Sequence, residues 1–134
     1  MEGVKSFFAP AGRVSVVPGN PYEILFNPDA TVGEKGSEGM IVLASQPPEF
    51  LSFTCNSPPE LARVRGQITF VEVRFEEVDK SRTLVNIRHS GWGGGGQWDA
   101  AYEYFSRAWE QIVLPRLAYR FEHGPVDWDN PPQR

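Results

Sequence analysis

Between His89 and Trp98 the chain changes its hydrophobic period, and that change constrains its fold more than any other feature. Up to His89, apolar and polar residues alternate, as in strands with one buried face. In "GQITFVEVRFEEV", Val71, Val73 and Phe75 share a face against Glu72, Arg74 and Glu76. In "TLVNIRHS", Val85, Ile87 and His89 oppose Leu84, Asn86 and Arg88. "FLSFTCN" aligns Leu51, Phe53 and Cys55, and "YEILFN" aligns Tyr22, Ile24 and Phe26. "RVSVV" and "GMIVLAS" complete six predicted strands, joined by short turns such as "PGNP", "QPPE" and "DKSR" and by the polar loop "PDATVGEKGSE". Connections this short imply an antiparallel meander. From Trp98 the period becomes helical: Trp98, Ala101, Tyr102, Phe105, Trp109 and Ile112 fall within roughly 80° of a helical wheel. "RFEH" followed by Gly124 and Pro125 ends the helix. Pro115, lacking the amide that would bond to Gln111, predicts a kink or local unwinding.

The 134 residues suit one domain spanning positions 1–134. Apolar residues make up 40% and charged residues 22%, which marks a folded chain. The net charge of −4, with scattered Lys and Arg, provides no basic field, so no nucleic-acid partner is expected. Cys55 is the single cysteine, so no internal disulfide can form, and a reducing cytoplasm is the expected location. "MEGVKSFFAP", a short helical turn stopped by Pro10, has no secretory pattern. "MIVLA" is far too short to span a bilayer, and no membrane partner is expected.

Gly91, Gly93 and Gly96 match the spacing G-x-G-x-x-G between a strand and a helix. A dinucleotide turn needs a strand–helix–strand unit in a parallel sheet, with an acidic residue ending the next strand. Here hairpins precede the glycines and no strand pattern follows the helix. The match is an accident of glycine abundance, and no cofactor is expected. Asp127 and Asp129 in "VDWDN" are too few ligands for a cation. Cys55 reads as a buried apolar filler, since no base is suggested beside it. Glu103 and Glu110 read as a solvated helix face.

The predicted class is therefore α+β, a curved antiparallel sheet gripping one long helix. A sheet curved around so bulky a helical stripe can enclose an apolar cavity, the usual form of a ligand site. Strand parity and the helical stripe nominate Tyr22, Phe53, Val71, Val73, Val85, Ile87, His89, Tyr102, Phe105 and Trp109 as its lining. His89 would be a ligand's polar anchor or, more simply, a histidine bonded to a backbone carbonyl at the strand end.

The segments "GVKSFFAP", "PGNPYEILFNPDA", "FLSFTCNSPPE", "RFEEV", "HSGWG", "QWDAAYEYFSRAW" and "RFEHGPVDW" resemble the SRPBCC (START/birch-pollen-allergen-like) superfamily. Within it they are most similar to the domain related to the activator of heat-shock-protein-90 ATPase, and the likeness runs through nearly the whole chain in order. The resemblance implies a helix-grip fold with a hydrophobic cavity. It also implies an edge strand and a helix ahead of "GVKSFFAP", which this sequence lacks, so the edge of "TLVNIRHS" is expected to stand bare and to favour a homodimer. The leading functional expectation is a binding protein for a small apolar or amphipathic molecule, without catalytic residues. A cavity enzyme of the cyclase, dehydratase or hydrolase type and a chaperone-regulating interaction protein are the alternatives.

Overall fold

A computed structural model describes residues 2–131. The fold is α+β: a four-stranded antiparallel sheet, a two-stranded sheet and a long C-terminal helix. Helix α1 (Glu2–Phe7) leads into strands β1 (Ala11–Val14) and β2 (Tyr22–Leu25), which pair with each other. Strands β3 (Val42–Gln46), β4 (Phe50–Cys55), β5 (Thr69–Asp79) and β6 (Arg82–Ser90) form the larger sheet in sequential order. The single meander expected from the sequence is thus divided into two sheets, linked by an isolated bridge between Pro21 and Ile41. A short helix, α2 (Ala62–Arg65), lies in the connection from β4 to β5.

Cross-strand register explains the core. Val71 sits opposite Phe53 on one side and His89 on the other, and Val73 sits between Leu51 and Ile87. Val42 and Val71 are fully buried, each stabilising by about 1.5–3 kcal/mol. The Tyr22 ring stacks on Phe53 with centroids 3.8 Å apart, joining the small sheet to the large one. Phe26 does not follow Tyr22 and Ile24 inward. Strand β2 stops at Leu25 before Asn27 and Pro28, and Phe26 is 51% exposed. "RVSVV" likewise ends early as a strand, and Val16 and Val17 lie exposed in the turn.

The loop after β2 folds back to bridge Leu25 with Gly36. A Cβ at Gly36 would lie 2.1 Å from the Ile24 carbonyl oxygen, so only glycine permits this approach. Arg65 secures the loop by donating to the carbonyls of Gly33, Gly36 and Ser57. Glu38 closes it from the other side by accepting the amides of Gly33, Lys35 and Gly36. Burial raises the Glu38 carboxyl, but these three amides and Arg65 outweigh it and hold the group below its ordinary value.

The C-terminal helix runs as α3 (Gln97–Arg107), a π turn (Ala108–Val113) and α4 (Leu114–His123). Of the kink or local unwinding expected near Pro115, the second is found, as this wider turn just before it. Pro115 then falls in the first turn of α4, where its missing amide has no partner to lose. The tail after Gly124 returns to α1: Val126 N–H donates to Ser6 at 2.8 Å, and Trp128 Nε1 donates to the Lys5 carbonyl at 2.6 Å. No helix among the described residues is long and apolar enough to cross a membrane.

Candidate functional site

The helix packs Phe105 and Trp109 onto the core that the strands build. These two side chains divide the interior into two cavities, because both of them line each one. The first, of about 390 Å³, is walled by Tyr22, Ile24, Phe53 and Cys55 from the strands and by Ile112 and Val113 from the π turn. The second, of about 460 Å³, lies beside β6 and is walled by Val85, Ile87, His89, Trp92, Tyr102 and Leu114.

The predicted lining is therefore split and partly corrected. Tyr22 and Phe53 belong to the first cavity, whereas Val85, Ile87, His89 and Tyr102 belong to the second. Val71 and Val73 line neither. Their parity is inward, but neighbouring side chains cover them, and Val71 is 0% exposed. Tyr102 is 55% exposed, its ring packed edge-on against Trp92 at 5.4 Å, so it lines the cavity at its outer margin. Ile112, placed on the helical stripe by a 3.6-residue period, is 39% exposed, and Val113 is buried instead. The π turn sets the stripe back by one residue.

His89 is the best-defined polar group. Trp109 Nε1 donates to its Nδ1 at 3.1 Å, so the hydrogen of the neutral ring must be on Nε2, which lies 2.7 Å from Thr69 Oγ1. Thr69 Oγ1 in turn donates to the Cys55 carbonyl at 3.2 Å. The result is a one-way chain from helix to β6, β5 and β4, with every member satisfied. Burial lowers the imidazole pKa to about 4. The expected bond from the ring to a backbone carbonyl is absent; the partners are side chains, and the backbone carbonyl of His89 accepts from Trp92 Nε1. With both nitrogens engaged, His89 serves as a structural tie.

In the first cavity burial also governs the titratable groups. It raises the Tyr22 phenol well above its ordinary range, with Cys55 adding to the effect. It pushes the Cys55 thiol up to about 12, against opposing effects from Thr69 and Arg65. Cys55 is 8% exposed and is the apolar filler its parity predicted. Tyr104, at the cavity margin, is raised by burial and by Glu60. Sequence reasoning missed Thr69, although the parity of Val71 and Val73 includes it. It also missed Ser57 and Arg65, whose roles depend on contacts with distant loops. The Asp127 carboxylate accepts the amide of Asp129, and no group of three metal-ligating side chains occurs among the described residues. The glycines leave an antiparallel strand, and no strand follows the helix among the described residues, so the unit a dinucleotide turn requires is missing there. Gly93 instead makes room for an indole: a Cβ there would lie 2.2 Å from Trp98 Nε1. Comparison with protein-family models, with curated proteins and with solved structures gives no match.

Proposed function

We propose that the chain is a helix-grip domain of the SRPBCC type, similar to the activator of heat-shock-protein-90 ATPase, and that it binds a small apolar or amphipathic molecule between sheet and helix. The observation that carries this reading is the first cavity, about 390 Å³ of space between the two sheets and the helix, within the size range of small-molecule sites. Its walls supply burial and shape, the main sources of affinity for such ligands. The raised phenol of Tyr22 and thiol of Cys55 favour holding a ligand over acid–base chemistry near neutral pH. Native mass spectrometry of protein purified from its own host is expected to show a retained small molecule. Titration with 1-anilinonaphthalene-8-sulfonate is expected to give saturable fluorescence that the released molecule competes away. Absence of both signals would remove the reading.

A second reading concerns self-association. Strand β6 pairs only with β5 among the described residues, so its other edge presents free backbone donors and acceptors beside the second cavity. Leu84, 47% exposed on this strand, adds apolar surface. Edges of this kind recruit another strand unless charge or shape blocks them. Light scattering is expected to show a concentration-dependent dimer that Leu84→Lys shifts toward monomer. A wild-type monomer across a wide concentration range refutes the edge reading.

A further inference from the structure

The first cavity contains polar groups that the protein leaves unpaired. Ser57 is 1% exposed, and its hydroxyl has no hydrogen-bond partner among the described residues. The sequence explains this. A serine hydroxyl commonly bonds to the amide two positions on, but Ser57 is followed by Pro58 and Pro59, which have no N–H. Buried polar groups almost always have partners, so this one calls for a reason. The Tyr22 hydroxyl also has no partner among the described residues, and its ring is fixed against Phe53. Arg65, in the same lining, spends four of its five N–H groups on the carbonyls of Gly33, Gly36 and Ser57 and keeps one on Nη1.

These groups suit a neutral oxygen better than an anion. The Arg65 charge is already answered by Glu38 at 3.8 Å. Two other cations line the cavity, Lys35 and Arg116, and neither has a carboxylate within 4 Å among the described residues. Both are part-exposed, and Arg116 rests over the Trp128 ring at 5.3 Å, so water can satisfy them. The Ser57 hydroxyl is the deeply buried one, which only an occupant or a trapped water can serve. Resting on the binding reading above, we propose that the occupant of the first cavity is an amphipathic molecule with an uncharged hydroxyl or carbonyl head, held by the Ser57 and Tyr22 hydroxyls. Its apolar body lies along Phe53, Phe105 and Trp109.

The test compares naphthalene, 2-naphthol and 2-naphthoate by titration calorimetry on the whole chain near neutral pH. Two added hydrogen bonds predict that 2-naphthol binds about tenfold more tightly than naphthalene. Ser57→Ala and Tyr22→Phe are each expected to reduce that preference about threefold while leaving naphthalene affinity unchanged. Ser57→Ala is also expected not to lower the thermal midpoint, because it removes a hydroxyl with no protein partner. Equal binding of naphthalene and 2-naphthol would overturn the proposal, as would a preference that survives both substitutions. Strongest binding of 2-naphthoate, abolished by Arg116→Gln, would move the head to the rim and overturn it too. If none of the three binds, the binding reading itself fails.

Discussion

Replacing Trp109 with alanine is expected to lower the free energy of unfolding by about 3–5 kcal/mol. The indole touches the Phe8 ring edge-on at 5.9 Å, donates to His89 at 3.1 Å and separates the two cavities. Its removal loses the packed ring, leaves His89 Nδ1 without its donor and merges two spaces of about 390 and 460 Å³. The neighbouring sheet is tied by its strand ladder and cannot collapse to fill the gap, so the cavity cost is kept. Trp109→Phe separates the contributions: it retains most of the packing, loses the N–H, and is expected to cost about 1 kcal/mol from the lost hydrogen bond. Urea unfolding of the three proteins measures both. A loss well below 1 kcal/mol for the alanine variant would mean that the ring is not packed against the sheet.

Acidification from about pH 6.5 to about pH 4 is expected to weaken the fold by up to about 3 kcal/mol through His89 alone. The folded chain holds this imidazole neutral, with a pKa lowered to about 4 by burial. An added proton would have to sit on Nδ1, facing the N–H of Trp109. An unfolded histidine takes up its proton near pH 6.5. Between those values the unfolded chain binds a proton that the folded chain refuses, so stability rises with pH across the window. It is fully present above about 6.5 and lost as the pH falls to about 4. Glu38 acts in the carboxylate range instead. Its lowered pKa contributes stability that is present above the unfolded carboxylate value and is lost as the pH falls through the folded one. Urea midpoints measured across this range for wild type and His89→Gln isolate the histidine. Equal slopes in the two proteins would show that His89 is not held neutral by the fold.

Strand parity and period were legible because each depends on residues close in sequence. Val71, Val73, Val85 and Ile87 all face inward as their alternation required, and the helix ends where Gly124 follows His123. Parity tells which face a residue occupies and nothing of what covers it. For that reason Val71 and Val73 read as cavity lining, although packed neighbours bury them. The exchange of Ile112 for Val113 arises from the π turn, a response to Pro115 that a fixed 3.6-residue wheel cannot represent. The division into two sheets depends on pairings between separate strands, and the knot of Arg65 with Glu38, Gly33 and Gly36 depends on contacts about 30 residues apart. Their residues carry no local signal. Ser57 is the exception: two prolines after a serine already removed its nearest donors.

The seam between α1 and the tail sets an order of events in folding. Lys5 and Trp128 are separated by 123 positions, and closing a flexible loop of that length costs about 4 kcal/mol. The bonds from Val126 to Ser6 and from Trp128 to Lys5 cannot offset that cost by themselves. They become favourable only after the strands and the helix have drawn the two segments together. The seam is accordingly the last part of the chain to zip and the first to fray, and the Val126 amide exchanges its hydrogen sooner than the amides of β5. A domain whose interior is secured by a ladder of neighbouring strands is thus finished by a latch spanning almost its full length.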